Sequence, residues 1–105
     1  MIARVWRGEA ISDNAPRYVD HLEGSVFPKL ERLSGHEGAY LLRRETNDRV
    51  EFVVLTLWAT MEAIHQFAGE EPGVAVIEPA AREVLTRFDE SVDHYEIVLP
   101  SPPTS

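Results

Sequence analysis

The stretch Glu51-Phe52-Val53-Val54-Leu55-Thr56-Leu57-Trp58 constrains the fold more than any other part of the chain. Its β-branched and aromatic residues read as a strand. Side chains alternate along a strand, so Val53, Leu55 and Leu57 share one face while Phe52, Val54, Thr56 and Trp58 share the other. Both faces are apolar. An antiparallel strand with one covered face alternates apolar and polar residues, whereas this strand needs cover on both sides. The opening strand, residues 2–7, makes the same demand: Ala3 and Val5 lie on one side, and Ile2 and Trp6 flank Arg4 on the other. An apolar sheet face left in water is unusual for a monomer. The simplest cover is a second copy packed sheet to sheet about a two-fold axis. The chain is therefore expected to be a homodimer.

The remaining elements place this strand in a topology. Ser12-Asp13-Asn14 offers helix caps and Pro16 suits a first turn. Tyr18, Leu22, Val26, Leu30 and Leu33 then recur at helical spacing up to Gly35, and Pro28 inside the pattern predicts a kink or a split. Ala39 to Glu45 reads as a second strand, joined to Glu51–Trp58 by an Asn47-Asp48 hairpin. Thr60 caps a short helix whose apolar face is Met61, Ile64, Phe67 and Ala68. Gly69 to Gly73 breaks the chain, and Val74 to Ile77 fits either strand or turn. Pro79 opens another helix with Ala80, Ala81, Val84, Leu85 and Phe88 inward. Val92 to Leu99 is the last predicted strand. The order is β-α-β-β-α-β, an α+β chain of the ferredoxin-like split βαβ type. It predicts a four-stranded antiparallel sheet with helices on one face. Residues 1–99 form one domain in this reading, and 100–105 form a mobile Pro-rich tail.

Composition excludes several functions. The 105 residues carry 10 basic and 18 acidic side chains, a formal charge of −8, which disfavours nucleic acid. Cysteine is absent, so disulfides, thiolate metal sites and cysteine nucleophiles are excluded. None of His21, His36, His65 and His94 forms a helical i, i+4 pair, and no metal site is expected. No Gly-rich phosphate loop or nucleophile elbow is present. The longest near-apolar run, Phe52 to Ala59, is too short to span a membrane, and the start of the chain lacks a signal-peptide core. A cytoplasmic location is the default expectation.

A few residues can carry chemistry. His94 can trade protons at neutral pH as a general base, or serve as a sheet-face histidine bonded to Arg or Glu across the dimer. His65 borders the apolar stripe of its helix, where it either lines a space beneath or marks the stripe's wet edge. Trp6 and Trp58 can pack in the core or wall an aromatic ligand. A buried Arg4 must be paired, or must meet an anionic oxygen of a ligand. Tyr18 opens the helical stripe, and His21 and His36 read as surface residues.

The opening Ile2-Ala3-Arg4-Val5-Trp6-Arg7-Gly8, the Gly38-to-Arg44 and Phe52-to-Trp58 strands, Phe67-Ala68-Gly69, Pro79-to-Arg82 and His94-Tyr95-Glu96 resemble the antibiotic biosynthesis monooxygenase-like family over about residues 1–98. The resemblance implies a dimeric α+β barrel. It also implies a cofactor-independent oxidoreductase, a monooxygenase acting on a phenolic, quinol or polyketide-type aromatic. In that route a deprotonated phenol passes an electron to O₂ and the caged pair recombines. The route needs a dry apolar chamber, a base, and a donor for oxyanion charge. The implied bases are His94 and His65. The implied substrate-binding residues are Arg4, Trp6, Tyr18, Trp58, Phe67 and Tyr95, with no cofactor and no metal. The family's haem-degrading branch uses an Asn on the first strand, which this chain lacks; its only Asn residues are Asn14 and Asn47. The alternative function is a non-catalytic dimeric barrel that binds a small apolar ligand.

Overall fold

The computed structural model describes residues 1–99; the expected tail from 100 to 105 lies outside the described residues. The chain begins with strand β1 (Ile2–Ile11). A single 3₁₀ turn at Ser12–Asn14 leads into α1 (Ala15–His21), and α2 (Phe27–Glu31) continues the same rod. Strands β2 (His36–Thr46) and β3 (Arg49–Trp58) form the predicted hairpin, with Asn47 at φ 55° in its turn. Helix α3 (Met61–Ala68), a strap of irregular chain, and α4 (Pro79–Val84) follow. Two short strands, β4 (Arg87–Phe88) and β5 (Asp93–Glu96), end the fold.

The antiparallel sheet runs β2-β3-β1, and β4 and β5 both lie along the free edge of β1. It is four strands wide, as predicted, with the fourth strand delivered in two pieces. Helices cover one face. Strand β1 extends beyond the predicted 2–7 because β3 supplies partners as far as Ile11↔Arg49. The predicted final strand, 92–99, shortens to β5 because β1 starts at Ile2, opposite Glu96. Helix α4 also stops early. Leu85 turns extended, and Thr86 N–H bonds Glu9 O at 2.8 Å, so Phe88 enters the sheet edge instead of the helix. Ala80, predicted inward, is exposed.

Pro28 splits the first helical rod by a definite mechanism. Proline has no N–H, and its ring crowds the carbonyl four residues back. The turn ahead of it widens into a π-helical turn over Leu22–Val26, in which Phe27 N–H bonds Leu22 O. Helix α3 starts as the sequence dictates: Thr60 Oγ1 accepts from Ala63 N–H at 3.2 Å.

The helix-covered sheet face is packed at its two ends. At one end Phe52, Val50 and Ala10 meet Tyr18, Leu22 and Val84. At the other, Trp58 meets Leu30, Ala63 and Ile64. Between these clusters the sheet presents Arg4 and Trp6 of β1 and Thr56 and Val54 of β3, paired Arg4↔Thr56 and Trp6↔Val54. Among the described residues, nothing covers the opposite sheet face. Tyr40, Leu42 and Tyr95 are about half exposed there, beside Ala3, Val5, Val53, Leu55 and Leu57. Ion pairs Arg7–Asp93 (3.7 Å) and Arg44–Glu51 (2.9 Å) border that face toward the hairpin end. Among the described residues, no helix is long and apolar enough to cross a membrane.

Gly35 joins the first helical rod to β2 at φ 85°, and a Cβ there would sit 2.6 Å from the Ala63 Cβ. Both strain and collision oppose a side chain. Gly35→Ala is expected to lower unfolding stability by roughly 1–3 kcal/mol, read as a shifted urea midpoint.

Candidate functional site

The unpacked middle of the helix-covered face is a cavity. Its volume is about 100 Å³. One water needs about 10–15 Å³ on this measure, so the space suits a small ring system. Its floor is the sheet: Arg4, Trp6, Val54 and Thr56. Its roof is Tyr18, His21 and Leu22 of the first helical rod, with Phe67 of α3 and the strap residues Val76–Glu78 at the side. Lys29 and Val76 are the exposed lining residues and mark the mouth.

Arg4 and Thr56 are the buried polar residues of the core, and they lie opposite each other on the floor. Thr56 Oγ1 accepts the Trp58 Nε1–H at 2.8 Å, which satisfies the buried indole. Trp58 itself is fully buried behind the lining residues Thr56 and Phe67, and it stacks on Phe67 at 5.7 Å. The Arg4 guanidinium lies 5.7 Å from the centre of the same Phe67 ring. Phe67 thus packs against both an indole and a cation. Trp6 is fixed by its Nε1–H bond to Asp89 O at 2.6 Å, and its ring lies over Gly8, where a Cβ would come within 2.7 Å of it.

Arg4 is 5% exposed. It donates to Pro72 O and Val74 O of the strap and to His94 Nε2 at 3.0 Å. These are neutral acceptors, and burial pushes the Arg4 pKa down to about 10. Because Nη1–H donates, Nε2 of His94 supplies the lone pair, and the imidazole is neutral with its proton on Nδ1. Burial and the Arg4 charge lower the His94 pKa, against an opposing pull from Asp93 and with a further lowering from His65.

Of the candidates read from the sequence, Arg4, Trp6, Tyr18 and Phe67 line this cavity. It places the other candidates differently. His94 shares the face of Arg4 but spends its lone pair on that residue and stays outside the lining. His65 is exposed, its Nδ1 3.0 Å from Gly69 O at the end of its own helix. Tyr95 sits on the uncovered face, opposite Ala3. The histidine of the lining is His21, read from sequence as a surface residue. Its Nε2 is buried without a hydrogen-bond partner, 3.9 Å from Glu78 Oε2. Glu78 in turn accepts from Lys29 Nζ at 3.2 Å. One signal was available: His21 follows Tyr18 by three residues, on the same helical face. Burial raises the Tyr18 pKa, so its hydroxyl stays protonated and able to donate. Among the described residues no cluster of three or more His, Cys, Asp or Glu side chains is placed to hold a metal ion.

No protein-family profile matches the chain, and no curated protein sequence matches it. Many solved structures share its fold. One is SnoaB, a cofactor-independent oxygenase from Streptomyces nogalater (16% identity, TM-score 0.64, 97% of each chain covered). A second is the monooxygenase from ActVA-Orf6 of Streptomyces coelicolor in complex with nanaomycin D (16%, 0.60, 95% of this chain and 92% of that one). The haem-degrader MhuD of Mycobacterium tuberculosis, with two haems bound in its active site, is a third (20%, 0.61, 97% and 100%). These likenesses establish the fold, an α+β ferredoxin-like chain with the architecture of antibiotic biosynthesis monooxygenase-like proteins.

His94 and His36 both resist protonation in the fold. His36 is packed edge-on to Trp58 at 5.1 Å, its Nε2 buried, and burial lowers its pKa. The unfolded chain binds these protons first, near the ordinary histidine value of 6.5. Stability is therefore expected to fall as pH drops below about 6.5. Urea titrations at pH 7.5 and 5.5 check this, and His94→Gln is expected to flatten the dependence.

Proposed function

We propose that the chain is a cofactor-independent oxygenase acting on a small phenolic or quinol-type aromatic held in the cavity between sheet and helices. One observation carries this reading. A largely apolar chamber with aromatic walls contains a buried guanidinium whose present partners are all neutral. The solved neighbours SnoaB and ActVA-Orf6, an oxygenase and a monooxygenase, support the same direction.

The chemistry uses the chain's own groups. Trp6 and Phe67 hold a flat ring and exclude water. His21, with an unpartnered Nε2, takes the phenolic proton, and the nearby Glu78 stabilises the imidazolium that forms. Arg4, on the floor, stabilises the negative charge that spreads over the bound substrate as it loses its proton. A phenol with a free para C–H and O₂ become a para-quinone and water. The ring supplies all four electrons that O₂ accepts, so no outside reductant enters. His94 acts as a positioning residue that holds Arg4.

In the same proposal a second copy covers the open face. The dimeric barrel of the resembling family supports it, as does the apolar row of Tyr40, Leu42, Leu55 and Tyr95.

The non-catalytic alternative would gain support from histidines tied to structural carboxylates. Here His94 bonds Arg4, and His65 meets a backbone carbonyl.

Oxygen-electrode assays with a panel of hydroquinones and para-unsubstituted phenols test the reading. Uptake above the uncatalysed rate is expected, reduced about 10²–10³-fold in Arg4→Gln and about 10²-fold or more in His21→Gln. Uptake no faster than the uncatalysed rate on every substrate contradicts it. Light scattering at micromolar concentration is expected to give about twice the 11.9 kDa chain mass; a mass of one chain contradicts the covered face.

A further inference from the structure

Arg4 has more hydrogen-bond donors than its surroundings use. A guanidinium carries five N–H donors. Three go to Pro72 O, Val74 O and His94 Nε2. The other two have no partner among the described residues. Nor does any carboxylate there form an ion pair with Arg4. Glu78 is the acidic residue of the lining, and it is already engaged by Lys29 and faces His21. The cavity therefore holds a desolvated positive charge on its floor with no counter-charge. Such a charge costs several kcal/mol unless an anion accompanies it. The chain's overall charge of −8 works against anions at long range, but it is screened beyond about 8–10 Å in physiological salt. Selection for an anion is then a local property of Arg4.

We infer that the natural ligand is a monoanionic aromatic acid, a single hydroxylated ring whose carboxylate takes the two unspent Arg4 donors. This rests on the cavity being the ligand site, as proposed above, and adds the charge class of the ligand. A carboxylate fits because its two oxygens match two donors on one planar group. The ring then lies beside Phe67, whose face Arg4 already flanks. The hydroxyl end of the acid meets the helical roof. There the protonated Tyr18 hydroxyl does not repel it, and His21 offers an unpartnered nitrogen. The cavity has room for one such ring.

The test compares 3-hydroxybenzoate, whose carbon para to the hydroxyl bears hydrogen, with 3-hydroxybenzamide, which keeps the shape and removes the charge. Titration of the protein at pH 7.5, read by calorimetry and by tryptophan fluorescence, is expected to show the acid binding at least tenfold more tightly. Arg4→Gln is expected to erase the ratio, and Arg4→Lys to keep part of it. Arg4 also ties the strap, so these variants can lose their fold; the ratio in the unaltered protein decides the matter without them. Equal binding, tighter binding of the amide, or no binding of the acid overturns the inference. Oxygen uptake on uncharged quinols with no preference for the acid overturns it while leaving the oxygenase reading intact. Tight, selective binding of the acid with no oxygen uptake on any phenol supports it and removes the oxygenase reading instead.

Discussion

A buried guanidinium in a gap between two hydrophobic clusters governs this molecule. The helix-covered sheet face is filled at its ends by Phe52 and Trp58, each fully buried, and left unfilled between them. Arg4 occupies the middle row. It is too far inside for water to solvate well and too isolated for a carboxylate to neutralise. Its bonds to Pro72 O and Val74 O fasten the strap across the cavity, and its bond to His94 ties the edge strand β5 to β1. One residue thus joins the sheet, the strap and the edge strand, and it also supplies the cavity's unbalanced charge. Filling the same volume with an apolar side chain would give a better packed core and no site.

The gap persists for reasons visible along the chain. Pro28 forces the widened turn over Leu22–Val26, which changes the line of the helical rod above the floor. Gly69 and the irregular strap replace what would otherwise be a long second helix, and α4 is only six residues long. A roof built from short, broken pieces cannot seal a sheet whose central strands are ten residues long.

Much of this was legible in the sequence because it depends on local rules. The two-faced pattern of Phe52–Trp58, the Thr60 cap, the Asn47-Asp48 turn and the grouping of Arg4 with Trp6 follow from period-2 alternation and capping chemistry. Phe67 and Tyr18 followed from helical spacing. The parts that were misread depend on long-range register. Nothing local says that His94 stands opposite Arg4 and gives it a lone pair, or that Glu78 comes within 3.9 Å of His21, 57 positions away in the chain. The division of the last strand into β4 and β5 likewise reflects competition between α4 and the β1 edge for Leu85–Phe88. Tyr95 was grouped with the site only by the family resemblance, and its place next to His94 on a strand sends it to the opposite face.

The most direct test of the account is the ¹H–¹⁵N signal of the Arg4 Nε–H during titration with a hydroxylated aromatic. Burial should slow its exchange with water enough for detection. The expected result is a saturable shift of that signal, with matching shifts at Phe67 and Val76 around the cavity. An Arg4 signal that stays fixed while Tyr40, Leu42 and Tyr95 shift on the uncovered face would contradict the account.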